Sequence, residues 1–320
     1  MAIDSSYLGA AWPLVILFGF FAPFPVPMTS HPILPPHLSE ERPQAALPPP
    51  PEGDEQSSQA TFAHEAGPPT LHVAQGRATI RLRRPAHMNR LDRDDLLTLQ
   101  AQFRQIDSDP SVRVLVLTGV GKVFCAGYHL GELGQADADA APEGPQLFEQ
   151  TVQALESLAL PTICRFNGSV YGGATDLALA CDFRVGVQGM ELRMPAARLG
   201  LHYYPSGLRR YVAHLGLQAS KQLFLLARKA DAADLLRLGY LDELVAPEEL
   251  DNTIQHWAEA LAAGAPLAVR GMKCSLNEIA TGRALEATLR AREALCAHSD
   301  DLREGVRAWG EKRPPVFEGR

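Results

Sequence analysis

The stretch "VYGGATDLALACDFRV" covers residues 170–185. Two adjacent glycines, Gly172 and Gly173, separate an apolar start from a run of small residues that reads as a helix over 174–181. "DFRVGV" follows as a strand. Glycine lets a ligand approach the backbone closely and leaves N–H groups open. These glycines sit where a helix begins, an end that carries about half a positive charge. Asp176 falls in the first helical turn, and helical side chains tilt toward the N-terminus. Its carboxyl therefore leans toward the same anion-attracting end. A glycine pair alone is only a turn, and a lone acid here serves the helix dipole. The reading needs a second element.

That element is "KVFCAGYHL", residues 122–130. "VRVLVLTG" (112–119) is a nearly continuous apolar run, as expected of a strand covered on both faces. A tight turn follows, and the chain then passes through Phe124-Cys125-Ala126-Gly127. A second buried strand, "TICRF" (162–166), leads into the turn "NGSVYGG". Two glycine-bearing turns, each after a buried strand, can aim backbone amides at one point. Such an oxyanion hole stabilises charge that develops during acyl chemistry, and losing one donor costs ~3–4 kcal/mol in the barrier. A carboxylate beside a polarised carbonyl is a candidate base toward a C–H acid or toward water.

Outward from this pair, "LHVAQGRATIRL" alternates around Gly76 and reads as a two-stranded hairpin. Asp92 is placed to cap a helix running to Ile106. The segment 135–145 is small and acidic and reads as a loop, and 147–158 as a helix. A short strand near 191–194 follows the third buried strand. Beyond residue 205 the pattern turns helical, over 206–214, 219–226, 231–238, 248–263, 266–279, 283–297 and 300–309. The fold class is α/β with a helical C-terminal region.

The chain has 320 residues, 46% of them hydrophobic, and a formal charge of −7. With a pI near 5.8 and no Lys/Arg block, it lacks the footprint of a nucleic-acid-binding surface. Its five cysteines stand singly, without a CxxC pair, which suits reduced thiols in the cytoplasm better than disulfides or a zinc site. Fourteen of the 25 prolines precede residue 70. Residues 1–69 read as a disordered Pro-rich extension. Its apolar stretch within 7–28 is cut by prolines and lacks the basic flank of a signal peptide. The expectation is an upstream extension with Met28 as a second start; a cleaved signal and an anchor stay open.

From residue 70 to its end the chain resembles the crotonase family, also called the enoyl-CoA hydratase/isomerase superfamily. The matching pieces are "IRLRRPAHMNRL", "VRVLVLTGVGKVFCAGYHL", "NGSVYGGATDLALACDFRV", "MPAARLGLHYYPSGLRR", "LGYLDELV" and "DDLREGVRAWGEKRPPVFEGR". The resemblance implies a crotonase-like spiral of ββα units over 70–265. It also implies a helical trimerisation region over 266–320, and a homotrimer or dimer of trimers. The implied ligand is an acyl-CoA thioester, with coenzyme A as part of the substrate and no separate cofactor or metal. The thioester oxyanion falls to the amides of Ala126 and Gly173, with Gly172 beside them.

One departure bears on the reaction. Family hydratases carry two carboxylates. One position holds Asp176, usually a glutamate, which shortens the reach by one methylene. The other, just after a proline, reads Met194-Pro195-Ala196. Alanine moves no proton, so either the chemistry differs or another group serves. His202, whose imidazole titrates near neutrality, is the leading substitute acid or base, and Tyr203 or Tyr204 could bind a carboxylate or enolate. The resemblance also assigns substrate contacts to Arg84 and His87 toward the diphosphate, to Tyr128, His129 and Leu130 after the oxyanion turn, and to Lys312 and Phe317 toward the adenosine. The expected function is an enzyme that stabilises a thioester enolate with Asp176 as acid/base. The alternatives are a decarboxylase or hydrolase, and a non-catalytic acyl-CoA-binding member.

Overall fold

The hairpin at Gly76 is present. β1 (Gly67–Ala74) and β2 (Arg77–Arg83) pair antiparallel, and the turn between them holds Gln75 and Gly76 at positive φ. The structure is a computed structural model and describes residues 66–128 and 143–320. The expectations for the N-terminal extension up to residue 65, for His129 and Leu130, and for residues 135–142 fall outside that range. The described residues fall in one compact unit.

After β2, Asp92 caps α1 (Arg93–Ser108) as expected, and does so in a box: Asp92 accepts from the Asp95 amide and Asp95 accepts from the Asp92 amide. β3 (Val114–Gly119) is buried at every residue. β4 (Val123–Cys125), β5 (Thr162–Arg165), β6 (Ser169–Tyr171), β7 (Phe183–Val187) and β8 (Glu191–Arg193) follow, with α2 (Glu143–Glu156) before β5 and α3 (Ala174–Leu179) after β6. The strand pairs β3–β4, β5–β6 and β7–β8 each give their first strand to a six-stranded sheet and their second to a four-stranded one. This is the expected ββα spiral. In the large sheet β2, β3, β5 and β7 run parallel, and in the small one β4, β6 and β8 do.

The C-terminal half carries α4 (Pro205–Leu225), β9 (Ala230–Asp231), α5 (Ala232–Arg237), β10 (Glu243–Val245) and α6 (Leu250–Ala262). α7 (Pro266–Ala280), α8 (Glu286–Ala297) and α9 (Asp300–Glu311) complete it. Where two helices were expected over 206–226, one long helix is interrupted at Gly216, which has φ 76° and ψ 165°. β10 was not expected; it closes the large sheet against β7. The core is apolar, and α6 packs on β3, β5 and β7.

Two asparagines fasten the turns that lead into the small sheet. The Asn89 amide donates to the carbonyls of Val120 and Val123, both at 2.8 Å, and its oxygen accepts from the Arg84 amide. Asn167 donates to Gly121 O at 2.7 Å and accepts from the Gly119 amide. β4 and β6 therefore start from a fixed pair of corners and pair with Cys125 opposite Val170. Asn89 is 1% exposed, so water cannot replace its bonds. Asn89→Ala is expected to destabilise the protein by about 3 kcal/mol, since each buried group left unsatisfied costs ~1–3 kcal/mol. Urea unfolding of the variant and the wild type checks this.

Candidate active site

The parallel pairing of β4 with β6 brings the two glycine turns side by side. Gly127 has φ +85°, and a Cβ added there would lie 2.7 Å from the Gly173 nitrogen and 3.1 Å from that of Ala174. A Cβ on Gly172, φ +55°, would sit 3.3 Å from the Ala126 carbonyl. Side chains are excluded on both sides of this contact, which is why glycine stands at both positions. Gly172 is left-handed and Gly173 right-handed, a change of hand where β6 gives way to α3. The Gly172 amide is already bound to Arg193 O at 2.9 Å, and the Gly173 amide has no backbone acceptor among the described residues. The turn is held from behind. Tyr211 donates to Thr175 Oγ1, Thr175 donates to Gly172 O at 2.7 Å, and Tyr240 donates to Thr175 O at 2.7 Å.

Asp176 is fully buried. Its Oδ2 accepts from Arg210 Nη1 at 2.6 Å and from the Tyr204 hydroxyl at 2.5 Å. Arg210 also grips Glu156 with two parallel bonds, Nε to Oε1 at 2.8 Å and Nη2 to Oε2 at 3.0 Å. Tyr203 donates to the Tyr204 hydroxyl at 3.1 Å, with the two rings stacked at 4.2 Å. A chain of charge and hydroxyls therefore runs from Glu156 through Arg210 and Asp176 to the tyrosines. Asp176 Oδ1 is buried with no hydrogen-bond partner among the described residues. Burial pushes the Asp176 carboxyl above the usual aspartate range, against the pull of Arg210 and Tyr204. Burial also works against the charge of Arg210, but Asp176 and Glu156 outweigh it and keep the guanidinium charged. Burial and the Asp176 charge hold Tyr204 protonated, as a donor.

Close packing keeps this cluster in one geometry. A Cβ on Gly207 would meet the Tyr203 ring at 2.4 Å, the Tyr204 ring at 2.8 Å and Asp176 Oδ2 at 2.9 Å. A Cβ on Gly173 would meet the Phe148 ring at 2.9 Å. Ala196 is buried in a 3-10 turn and brings no proton carrier to the site. Cys125, next to Ala126 and Gly127, is a structural thiol: burial raises it to about 12, and it donates to Asn89 O at 2.9 Å.

Of the residues expected at the site, the structure gathers Ala126, Gly172, Gly173, Asp176 and Tyr203. Tyr128 is half-buried, bridges to Leu91 and lies 6.2 Å from the Phe148 ring. His202 is not brought to the carboxylate. It is exposed, and its Nδ1 lies 2.8 Å from the Tyr203 carbonyl; the turn aims the two following tyrosines inward in its place. Arg84 is also placed otherwise than expected. It pairs with Asp95 at 2.8 Å and Asp92 at 3.0 Å, so its charge serves the start of α1. His87 is exposed in a 3-10 turn. Lys312 ends α9 in a left-handed conformation. The Phe317 carbonyl accepts from Arg113 at 2.9 Å. Neither of these last two joins the Asp176 cluster.

Sequence reasoning missed Arg210 and Glu156, and it gave Tyr204 only a secondary place. A signal for Arg210 was present. Gly207, Arg210 and Tyr211 share the i, i+3, i+4 face of α4, and an arginine on a buried helical stripe requires carboxylate partners. Nothing local could say which carboxylates.

Comparison with known proteins agrees with this architecture. The family profile described as enoyl-CoA hydratase/isomerase matches residues 73–320. The chain is 31% identical over 246 residues to the crotonyl-CoA hydratase of Syntrophomonas wolfei subsp. wolfei, covering 75% of this chain and 94% of that protein. It is 31% identical over 239 residues to a carnitinyl-CoA dehydratase of Salmonella paratyphi B, covering 72% of this chain and 91% of the relative. The crystal structure of an enoyl-CoA hydratase from Bacillus anthracis superimposes with a TM-score of 0.73 at 28% identity, over 79% of this chain and all of that one. With the strand pairs, the apposed glycine turns and these matches in hand, the chain is a member of the enoyl-CoA hydratase/isomerase family, whose enzymes act on coenzyme A thioesters.

Proposed function

We propose that this chain stabilises the enolate of an acyl-CoA thioester and moves a single proton through Asp176, so that its reaction is a double-bond shift in an enoyl-CoA. The observation that carries this is the unpartnered, buried Oδ1 of Asp176, opposite an Oδ2 already fixed by Arg210 and Tyr204. In this reading the thioester carbonyl oxygen accepts from the amides of Ala126 and Gly173. Oδ1 takes a proton from the α-carbon of a 3-enoyl thioester, and the C–H electrons pass to the carbonyl oxygen as a dienolate. The same oxygen then returns the proton to the γ-carbon, leaving the double bond between the α- and β-carbons. One carboxyl suffices because it takes up the proton and then gives it back. Hydration asks for water to be activated at the β-carbon as well as a proton at the α-carbon, and the position that would help is Ala196.

The cluster's charge separates this reading from decarboxylation of malonyl-type thioesters. Arg210 is balanced by two carboxylates, so the group as a whole carries a negative charge and offers no cation to a substrate carboxylate. A homotrimer or dimer of trimers fits the exposed apolar side chains of α7 and α9, among them Met272, Leu276, Val306 and Trp309. Free cysteines fit a cytoplasmic setting, and among the described residues no helix is long and apolar enough to cross a membrane.

Purified protein supplied with 3-enoyl-CoA and crotonyl-CoA is expected to shift the first and to hydrate the second slowly or not at all. Asp176→Asn is expected to lower turnover by about 10³-fold, within the range for loss of a positioned acid/base. Equal rates in wild type and Asp176→Asn would defeat the proposal; acyl-CoA binding without turnover would favour the non-catalytic alternative.

The pH profile tests the role of Arg210. The reaction needs Asp176 ionised, so kcat/KM falls as pH drops through its pKa. Arg210 favours the ionised form, so its removal raises that pKa further. Arg210→Gln is therefore expected to move the acidic limb of kcat/KM to higher pH, and an unmoved limb would mean that Arg210 does not act through Asp176.

A further inference from the structure

Glu156 closes α2 and stands at the outer end of the chain of charge that leads to Asp176. Its side chain is 25% exposed, whereas those of Arg210 and Asp176 are 1% and 0% exposed. The exposed edge opens on a cavity of about 330 Å³ lined also by Lys273, Asn277, Glu278 and Arg283. The Glu156 charge therefore keeps part of its hydration while it holds a buried cation.

α2 does not need Glu156 to stay in place. Phe148, Val152 and Leu155 bury the inner face of the helix. Glu149, two turns before Glu156, already ties α2 to α4 by accepting from Ser206 at 2.5 Å. The bonds at Arg210 divide unequally. Nε and Nη2 go to Glu156, and Nη1 alone goes to Asp176. Two parallel bonds are the stronger geometry between a guanidinium and a carboxylate. Arg210 thus gives its better grip to the outer carboxylate and a single contact to the inner one. Two negative charges gathered on one cation also repel each other.

We infer that Glu156 is a positioning residue that weakens the hold of Arg210 on Asp176, so that Oδ1 stays basic enough to take a proton from carbon. This rests on the reading of Asp176 as the proton-moving group. A carboxylate fully matched by a cation accepts a proton reluctantly, and general-base catalysis weakens with the basicity of the base. Burial raises the proton affinity of Asp176, the Glu156 charge adds to it, and Arg210 and Tyr204 oppose both.

Other titratable groups face this pair. Tyr203 and Tyr204 before α4, Tyr211 on α4 and Tyr240 after α5 are held protonated by burial, so they keep one charge state. His214, one turn along α4 from Arg210, is exposed and feels Arg184, Glu156 and Arg210. On α7, Lys273 is committed to Asp182 at 2.7 Å and to Leu160 O at 2.8 Å, and Glu278 to Arg292. Arg283 donates to Thr281 Oγ1 at 3.0 Å.

The sign of the effect separates tuning from mere support. Removing the Glu156 charge leaves Arg210 to Asp176 alone, which favours the ionised form, lowers its pKa and moves the acidic limb of kcat/KM to lower pH. If Glu156 only held Arg210 in place, its loss would free the guanidinium and move the limb to higher pH, as in Arg210→Gln. Glu156→Gln keeps the shape and drops the charge. Its limb is expected below that of wild type, with the plateau lowered about threefold by the weaker base. Glu156→Asp keeps the charge but shortens the reach, so its limb is expected between the two; it carries the test alone if the glutamine variant does not fold. An NMR titration of labelled aspartate carboxyl carbons reads the same order without substrate. The Asp176 resonance is identified by its loss in Asp176→Asn, which also separates it from the titration of His214. A limb or an Asp176 resonance that titrates at or above the wild-type pH overturns the inference. Absence of turnover in wild type defeats the enolate reading, and the NMR titration still decides whether Glu156 sets the proton affinity of Asp176.

Discussion

A carboxylate with no solvent exposure has to be held by something, and here that is Arg210. Placing Asp176 in the core costs several kcal/mol of lost hydration, which a bare aspartate would avoid by taking up a proton. The guanidinium offsets part of that cost, and Glu156 in turn holds the guanidinium in place through two parallel bonds. The three groups therefore stand or fall together. Removing one member of a buried ion pair generally costs ~3–5 kcal/mol, because the remaining charge is left unpaired. Tyr204 completes the set by occupying the same Oδ2. The arrangement engages one carboxylate oxygen and leaves the other buried without a partner among the described residues.

The glycine turns obey a second constraint, steric rather than electrostatic. Gly127 and Gly173 approach until a single methyl group would intrude on a backbone nitrogen. Such proximity needs both strands to leave their corners at fixed heights, which the bonds of Asn89 and Asn167 secure. Neither asparagine touches the reacting region, yet the separation of the two turns depends on both. The Tyr211–Thr175–Gly172 chain then fixes the left-handed turn that opens α3. α4 supplies Arg210 to the carboxylate and Tyr211 to the turn, so one helix face positions both halves of the site.

What the sequence revealed and what it hid divide along physical lines. Buried runs such as Val114–Gly119 and capped helices such as α1 announce themselves through composition and local chemistry. β4 and β6 do not: three residues are too few for any periodicity to register, and they become strands by pairing with each other and, for β6, with β8. Asp176 was legible because its helix start is local. Its partners were not, because Arg210 lies 34 residues after it and Glu156, which Arg210 also holds, 20 residues before it, and an ion pair leaves no pattern at such separation. The choice of His202 over its neighbours rested on intrinsic proton affinity. Burial decided otherwise, since the turn before α4 faces the histidine to solvent and the aromatic rings to the core.

The loss of the second carboxylate and the packing of the tyrosines point the same way. Hydration and double-bond migration share one enolate and part only in what reaches the β-carbon. A site with two carboxylates holds a water there. In this chain the position after Pro195 is Ala196, which is buried, as are Met194 and Tyr203, and an alanine side chain offers a water no hydrogen bond. A drier wall also strengthens every electrostatic contact to the enolate oxygen. On the proposed reading, alanine at this position disfavours hydration and favours the double-bond shift, provided that the remaining carboxyl is free to give back the proton it takes. The unpartnered oxygen of Asp176 meets that condition, while the paired one keeps the group from turning away.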